Sequence, residues 1–312
     1  MRAFAIDAFG QPGSIHDLPD PEPASNEVRV RVAAASINPF DNVVLKGYLK
    51  DRMEHRFPLI PCSDLAGTVD ALGAGVEGFA VGDSVFGVTG RMLGDGTLAE
   101  LTTASTGTIA KRPAAVSEVE GAALPLAGVS ALMSVEAVAP QPNDVVVIVG
   151  ASGGIGSYAI QLAVSSGARV VAVTSKGKTE YVTSLGADEV IDRTAGDVVE
   201  ALKAKHPEGV AAIIDTGSDA AGLARLSETV RKGGTVTSMK GAAAIEDLAK
   251  RGIKGVNVGT QVTKERLDHL ARLAAEGKLK APRIQTFPLE EAGDAFQLIV
   301  QDTHLGKLVV RI

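Results

Sequence analysis

Cysteine occurs once in the 312 residues, at Cys62, and tryptophan not at all. A single thiol closes no internal disulfide and builds no multi-thiolate zinc lobe, which fits a chain that works in a reducing cytoplasm. Long apolar runs are missing as well: no stretch approaches the roughly 18 residues that cross a bilayer. The start, Met1-Arg2-Ala3-Phe4-Ala5-Ile6-Asp7, meets an acid after a few apolar residues, so neither an anchor nor an export signal is expected. Positive charge is in deficit. With 31 Lys+Arg against 37 Asp+Glu the net charge is −6, which lacks the basic footprint of a nucleic-acid binder. Aromatic residues make up only 4%. What the chain has in surplus is glycine, 35 residues in all, roughly 11% where about 7% is usual. Such a surplus points to tight turns and to backbone that comes up close against other groups. At 45% hydrophobic and 22% charged residues the composition is that of a folded globular protein, and its length suggests two domains at about 150 residues each.

The first third carries strand signals. Val28, Val30 and Val32 alternate with Arg29, Arg31 and Ala33, the period of a half-exposed strand. Further short strands are predicted at 67–69, 84–88 and 98–101, punctuated by turn chemistry at 19–23, 73–78 and Gly82-Asp83, a pattern that favours a small antiparallel barrel or sandwich. An Ala/Leu-rich helical stretch over 119–138, with a kink at Pro125, leads into Pro140-Gln141-Pro142-Asn143-Asp144. The fold class then changes. The apolar run 145–149 reads as a strand buried on both faces of a parallel sheet. After it, helices at 156–166, 178–185, 197–205 and 220–230 alternate with strands at 169–174, 189–192, 211–215 and 235–239. Such alternation defines a doubly wound α/β sheet with right-handed crossovers. Near Thr260 the pattern breaks again into a helix at 264–276, an extended segment through Phe287, a short helix at 290–300 and a last strand at 308–312. These elements do not continue the parallel sheet, so the chain is expected to return to its first domain.

Val145 to Val149 followed by Gly150-Ala151-Ser152-Gly153-Gly154-Ile155-Gly156 is the strongest local signal. A buried strand, a glycine turn and a helix start form the context of a dinucleotide fingerprint, here in the variant A-x-G-x-x-G. Gly153 lets backbone approach a pyrophosphate, Gly156 lets the helix pack on the sheet, and the helix N-terminus offers free N–H groups and a positive dipole to the phosphates. The next strand decides which dinucleotide. An NAD site places an acid on the ribose hydroxyls about 20 residues downstream. Here the tip reads Val173-Thr174-Ser175-Lys176-Gly177-Lys178, with Arg193 just beyond the following strand. Hydroxyls and cations in place of an acid favour the 2′-phosphate of NADPH over the alternative that these lysines form a solvated turn.

Taken together, Ser36-Ile37-Asn38-Pro39-Phe40-Asp41, Asp64-Leu65-Ala66-Gly67, Gly96-Thr97-Leu98-Ala99-Glu100, Leu124-Pro125-Leu126-Ala127-Gly128, the Gly150–Gly156 turn, Leu185-Gly186-Ala187-Asp188 and Gly306-Lys307-Leu308-Val309 carry a resemblance. Their order and spacing resemble the zinc-free quinone oxidoreductase, zeta-crystallin-like branch of the medium-chain dehydrogenase/reductase superfamily. The resemblance implies a GroES-like β-barrel catalytic domain from residues 1–118 and 260–312, and a Rossmann NADPH-binding domain from 119–259. Zinc-dependent relatives carry Cys where this chain has Asn38 and a His-Glu pair where it has Ser63-Asp64, so no catalytic metal is expected. His16, His55, His206, His269 and His304 have no ligand-like spacing. By the same resemblance Asn38 sits at the nicotinamide end, Ser130 near the nicotinamide ribose or phosphates, and Gly153, Gly154 and Ile155 on the pyrophosphate. Thr174, Ser175, Lys178 and Arg193 surround the 2′-phosphate. Tyr48, with Met53 and Phe57, comes into view as acceptor lining, and the Tyr48 hydroxyl could donate to a carbonyl or simply belong to a loop aromatic.

Without a metal to polarise a carbonyl, hydride transfer to an already electrophilic carbon is the natural chemistry. The expected activity is an NADPH-dependent reduction of a small-molecule quinone or α,β-unsaturated carbonyl by a cytoplasmic enzyme, dimeric as the resemblance implies. The alternatives are a biosynthetic enoyl reductase and a non-catalytic NADPH-binding protein of structural or RNA-associated role. Asp41 reads as a turn acceptor rather than a general base, and Lys307 as either reaching toward the cleft of the nicotinamide domain or simply beginning the last strand, the second being preferred.

Overall fold

The computed structural model describes residues 1–52, 54–89, 94–301 and 304–312, and the chain forms two compact units. One comprises Met1–Leu126 together with Val262–Ile312, the other Ala127–Gln261.

In the first unit the chain opens with a two-stranded ribbon, β1 (Arg2–Ala5) against β2 (Ser14–Asp17). Next come β3 (Glu27–Ile37), the short helix α1 (Pro39–Leu45), β4 (Asp64–Leu72), β5 (Ser84–Val88), β6 (Leu101–Ser105), β7 (Ile109–Lys111) and α2 (Glu118–Ala123). The alternation in β3 is observed: Val28, Val30 and Val32 are buried while Arg31 is exposed. The strand expected at 98–101 lies three residues later, at β6. Leu98 and Ala99 instead touch β1, through a single bridge from Ala99 to Ala3 and a hydrogen bond from the Phe4 N–H to the Leu98 carbonyl. The kink at Pro125 is a full break, because proline lacks the N–H that would continue α2.

The second unit begins within α3 (Pro125–Val138) and alternates β8 (Val145–Val149), α4 (Gly154–Ser165), β9 (Arg169–Thr174), α5 (Thr179–Ser184), β10 (Glu189–Asp192), α6 (Val198–Lys205), β11 (Val210–Asp215), α7 (Ala220–Ser227), β12 (Val230–Ser238), α8 (Ile245–Lys250) and β13 (Lys254–Asn257). Its six strands are all parallel, in the order β10-β9-β8-β11-β12-β13. The order reverses between β8 and β11, and ligands of open parallel sheets bind beyond the strand C-termini at such a reversal. Val147, Val171, Ile213 and Val236 form the centre of its core.

The chain then returns to the first unit as α9 (Lys264–Ala275), β14 (Ile284–Pro288), α10 (Ala292–Gln301) and β15 (Lys307–Arg311). This completes a seven-stranded sheet, β14-β15-β3-β4-β5-β7 with β6 also on β3, antiparallel except for the β14–β15 pair. The dividing points differ from the expected 118/119 and 259/260. The helix α2, assigned from sequence to the nucleotide domain, packs on β3 and β4 and belongs to the first unit. Among the described residues no helix is long and apolar enough to cross a membrane.

Candidate active site

Three neighbouring strands of the first unit end together. Because β3 runs antiparallel to both β15 and β4, the residue after its C-terminus, Asn38, comes level with Lys307 at the start of β15 and lies two residues beyond Ser36, the register partner of Asp64 at the start of β4. All three are buried, with Asp64 at 0%, Lys307 at 4% and Asn38 at 6% exposure. Burying such groups is costly unless each is paired, and here each is. The Asn38 amide Nδ2 donates to Asp64 Oδ2 at 2.9 Å, and Lys307 Nζ donates to Asn38 Oδ1 at 2.6 Å and to the Ile37 carbonyl at 3.3 Å. Lys307 Nζ also lies 3.6 Å from Asp64 Oδ2. The other Asp64 oxygen accepts from the Leu126 N–H at 2.9 Å. Burial raises the Asp64 carboxyl above the ordinary range, while Lys307, Asn38 and the Leu126 N–H pull it back down.

Asn38 also begins α1, with Pro39 at the first helical position where a missing N–H costs nothing. Asp41, one turn in, reaches back to accept the Asn38 N–H at 2.7 Å. It is thus the turn acceptor read from sequence. Burial pushes its carboxyl up to about 7, with the Asn38 N–H and the Lys307 charge opposing and Asp64 adding to the rise. The Cys62 thiol donates to Asp41 and is raised well above its ordinary range, first by burial and then by the Asp41 charge. Tyr48 stands apart from this network. Its side chain is 72% exposed and its hydroxyl bonds nothing among the described residues. Phe57 packs edge-on against Phe9 at 5.0 Å, and His55 does the same at 5.1 Å. Met53 lies outside the described residues.

In the second unit the Gly150–Gly156 turn sits at the C-terminal end of β8 and opens α4. Gly150 has φ +73, and a Cβ there would stand 2.2 Å from Thr216 Oγ1. At Gly156 a Cβ would meet the Gly150 carbonyl at 2.4 Å, so α4 packs on its strand only because this residue is glycine. Gly153, the N-cap of α4, is different: nothing but the Gly150 carbonyl, at 3.4 Å, borders its missing side chain. The fold itself does not require glycine there, whereas a phosphate drawn to the helix N-terminus does. Gly154 and Ile155 are the first two helical residues. Thr174 Oγ1 is turned inward, bonding Ser152 Oγ at 2.9 Å, with its side chain buried. Its hydroxyl thus anchors the turn, away from the tip that Ser175 and Lys178, both half-buried, and the exposed Arg193 occupy. The Arg193 N–H bonds the Thr174 carbonyl at 2.8 Å, which joins the two strand ends that carry them. Ser130 Oγ, on α3, shares a hydrogen bond with Thr260 Oγ1 at 2.7 Å.

A glycine turn at a parallel-sheet reversal in one unit, and in the other a sheet whose strand ends gather buried polar groups, define a medium-chain dehydrogenase/reductase, a fold that binds a nicotinamide cofactor. Residues 24–114 match the family described as the alcohol dehydrogenase GroES-like domain, and residues 185–310 that described as the zinc-binding dehydrogenase domain. The chain is 33% identical to a chloroplast envelope quinone oxidoreductase homolog of Arabidopsis thaliana, over 99% of this chain and 98% of that one. It is 30% identical to the mitochondrial NAD(P)H oxidoreductase RTN4IP1 of Mus musculus, over 92% and 82%. A solved quinone oxidoreductase from Coxiella burnetii superposes with a TM-score of 0.91 at 30% identity, covering 100% of this chain and 99% of that one. The chain belongs to the quinone oxidoreductase branch of this superfamily. It is an NAD(P)H-dependent oxidoreductase.

Proposed function

We propose that this enzyme uses NADPH, without zinc, to reduce a quinone or an α,β-unsaturated carbonyl. The observation that carries the reading is the cation already present between Asn38 and Asp64. The Asn38 amide is engaged at both ends and Asp64 faces the Lys307 ammonium at 3.6 Å. A dication would meet that ammonium and an amide, a poor donor set for zinc, which takes thiolate, imidazole and free carboxylate.

When bound, the nicotinamide supplies a hydride. The chain's own residues do the rest. Backbone N–H groups at Gly154 and Ile155, on the N-terminal turn of α4, hold the pyrophosphate, and Ser175, Lys178 and Arg193 hold the 2′-phosphate. Ser130 keeps the role at the ribose that the resemblance gives it. In the first unit Asn38 donates a hydrogen bond to the acceptor oxygen as negative charge develops on it. Tyr48, exposed as it is, contributes at most as a rim donor. The reading extends to a cytoplasmic homodimer, whose dimeric state sedimentation of the purified chain measures.

NADPH oxidation followed against quinones, short enones and long enals tests the reaction, and a chelator should leave the rate unchanged. Lys178→Ala should weaken NADPH relative to NADH by roughly 10–100-fold, the value of a lost charge-assisted hydrogen bond. An unchanged ratio removes Lys178 from the site.

A further inference from the structure

The strand-end network contains more order than a buried ion pair needs. Gly306, with φ +64, brings its backbone so close to β14 that a Cβ would stand 2.1 Å from the Arg283 carbonyl. The next N–H, that of Lys307, bonds the same carbonyl at 2.9 Å. This contact sets where β15 starts and turns the Lys307 side chain inward beneath Asn38. The ammonium has three hydrogens and three oxygens around it: Asn38 Oδ1, the Ile37 carbonyl and Asp64 Oδ2. Two of these oxygens accept hydrogen bonds and Asp64, at 3.6 Å, completes an ion pair, so the ammonium is committed to the network around Asn38.

Its effect falls on Asn38. An asparagine amide placed between an ammonium and a carboxylate has only one sensible orientation, oxygen to the cation and nitrogen to the anion. Of the two Nδ2 hydrogens one goes to Asp64, and no other residue accepts the second among the described residues. We propose that Lys307 is a positioning residue for the reaction, locking the Asn38 amide so that this second hydrogen is held as a donor for the acceptor oxygen. The charge-assisted bond at Oδ1 also draws electron density from the amide and makes Nδ2 a stronger donor as negative charge builds on the acceptor. The inference rests on the reductase reading above. Stability alone is a weak reason for such a triad, since buried ion pairs are often replaced by apolar groups without loss.

The test is a double-variant cycle on the full chain with NADPH and the best acceptor of the panel. Lys307→Met should lower kcat by about 10–100-fold, the cost of a donor released from its geometry, and leave NADPH affinity within about threefold. The double variant Lys307→Met/Asn38→Ala should be no slower than Asn38→Ala alone. Wild-type kcat in Lys307→Met, or losses that multiply in the double variant, overturns the proposal. If Lys307→Met fails to fold because Asp64 is left charged and alone, Lys307→Met/Asp64→Asn removes that charge and is read in the same way. The functional reading fails separately, if the native chain binds NADPH and reduces no acceptor. In that event the positioning role is still decided in the cofactor-free protein. The Asn38 side-chain amide resonance should shift in Lys307→Met, and an unmoved resonance refutes the lock.

Discussion

Asp41 holds a proton at a pH where most carboxyls have lost theirs. Its folded value of about 7 lies above the 3.8 of an unperturbed carboxyl, so between those values the folded chain binds more protons than the unfolded one. Stability from this group is therefore full below about pH 4 and is lost as pH rises toward 7. Asp41→Asn keeps an acceptor for the Asn38 N–H and removes the titration. Relative to the native chain it should gain on the order of 2 kcal/mol between about pH 5 and pH 8, measured by urea unfolding at the two pH values; parallel curves would show that Asp41 titrates normally. The neighbouring thiol yields a simpler expectation. Cys62 is buried and its thiol raised, so it should resist a thiol reagent in the native protein and react fully in denaturant. Rapid native labelling contradicts the buried placement. At this scale the sequence carried Asn38 and Asp64, because each stands in a short motif with a known metal-site counterpart. It left Lys307 between two readings, a cleft residue and the plain start of a strand. Nothing local tells an inward lysine from a strand-edge one, and its partner Asn38 is 269 positions away. The usable signal was the glycine before it, whose positive φ and close contact with Arg283 hold the strand start in place.

Among the elements, the parallel sheet was the most legible part, since strands buried on both faces are continuous apolar runs and the helices between them are amphipathic. Strands β8, β9 and β10 fall at the expected residues. The first unit was harder. Its strands are half-exposed and irregular, the β3–β4 ladder shifts register twice, and α1 spans only seven residues, the first of them a proline, too few for a period to show. The 98–101 segment looked like a strand of its own, yet only Leu101 joins a ladder, while Leu98 and Ala99 are buried against β1 through a single bridge. The glycine turn of α4 allows packing and ligand binding to be separated. Gly156→Ala puts a methyl 2.4 Å from the Gly150 carbonyl and 2.7 Å from Ala151 Cα, and should cost about 1–3 kcal/mol as α4 is pushed from its strand. Gly153→Ala meets no such obstacle, and should change stability by no more than about 1 kcal/mol while weakening NADPH at least about tenfold. Thermal unfolding and cofactor titration of the two variants read these effects independently. Equal losses of stability in both would mean that Gly153 serves the fold and not the phosphate.

For the whole molecule, the two units differ in how the chain builds them. The second is one continuous stretch, 127–261, with its own core around Val147, Val171, Ile213 and Val236. The first is assembled from both ends of the chain, and its core joins Val28, Val30 and Leu65 from one segment to Phe296, Leu308 and Val310 from the other. A fragment of residues 125–261, which keeps α3 whole, contains every strand of the parallel sheet, the Gly150–Gly156 turn and the Ser175, Lys178 and Arg193 tip. It should fold alone with a cooperative urea transition and a stability of about 0.05–0.15 kcal/mol per residue. It should also bind NADPH with the same sensitivity to Lys178→Ala as the full chain. With no tryptophan in the sequence, the fluorescence of the reduced nicotinamide follows binding without interference from indole. The fragment lacks Asn38, Asp64 and Lys307, so it should bind the cofactor and reduce nothing. A fragment that unfolds without a transition would mean that the parallel sheet depends on the other unit for its stability, and one that oxidises NADPH with a quinone would place the chemistry outside the strand-end network.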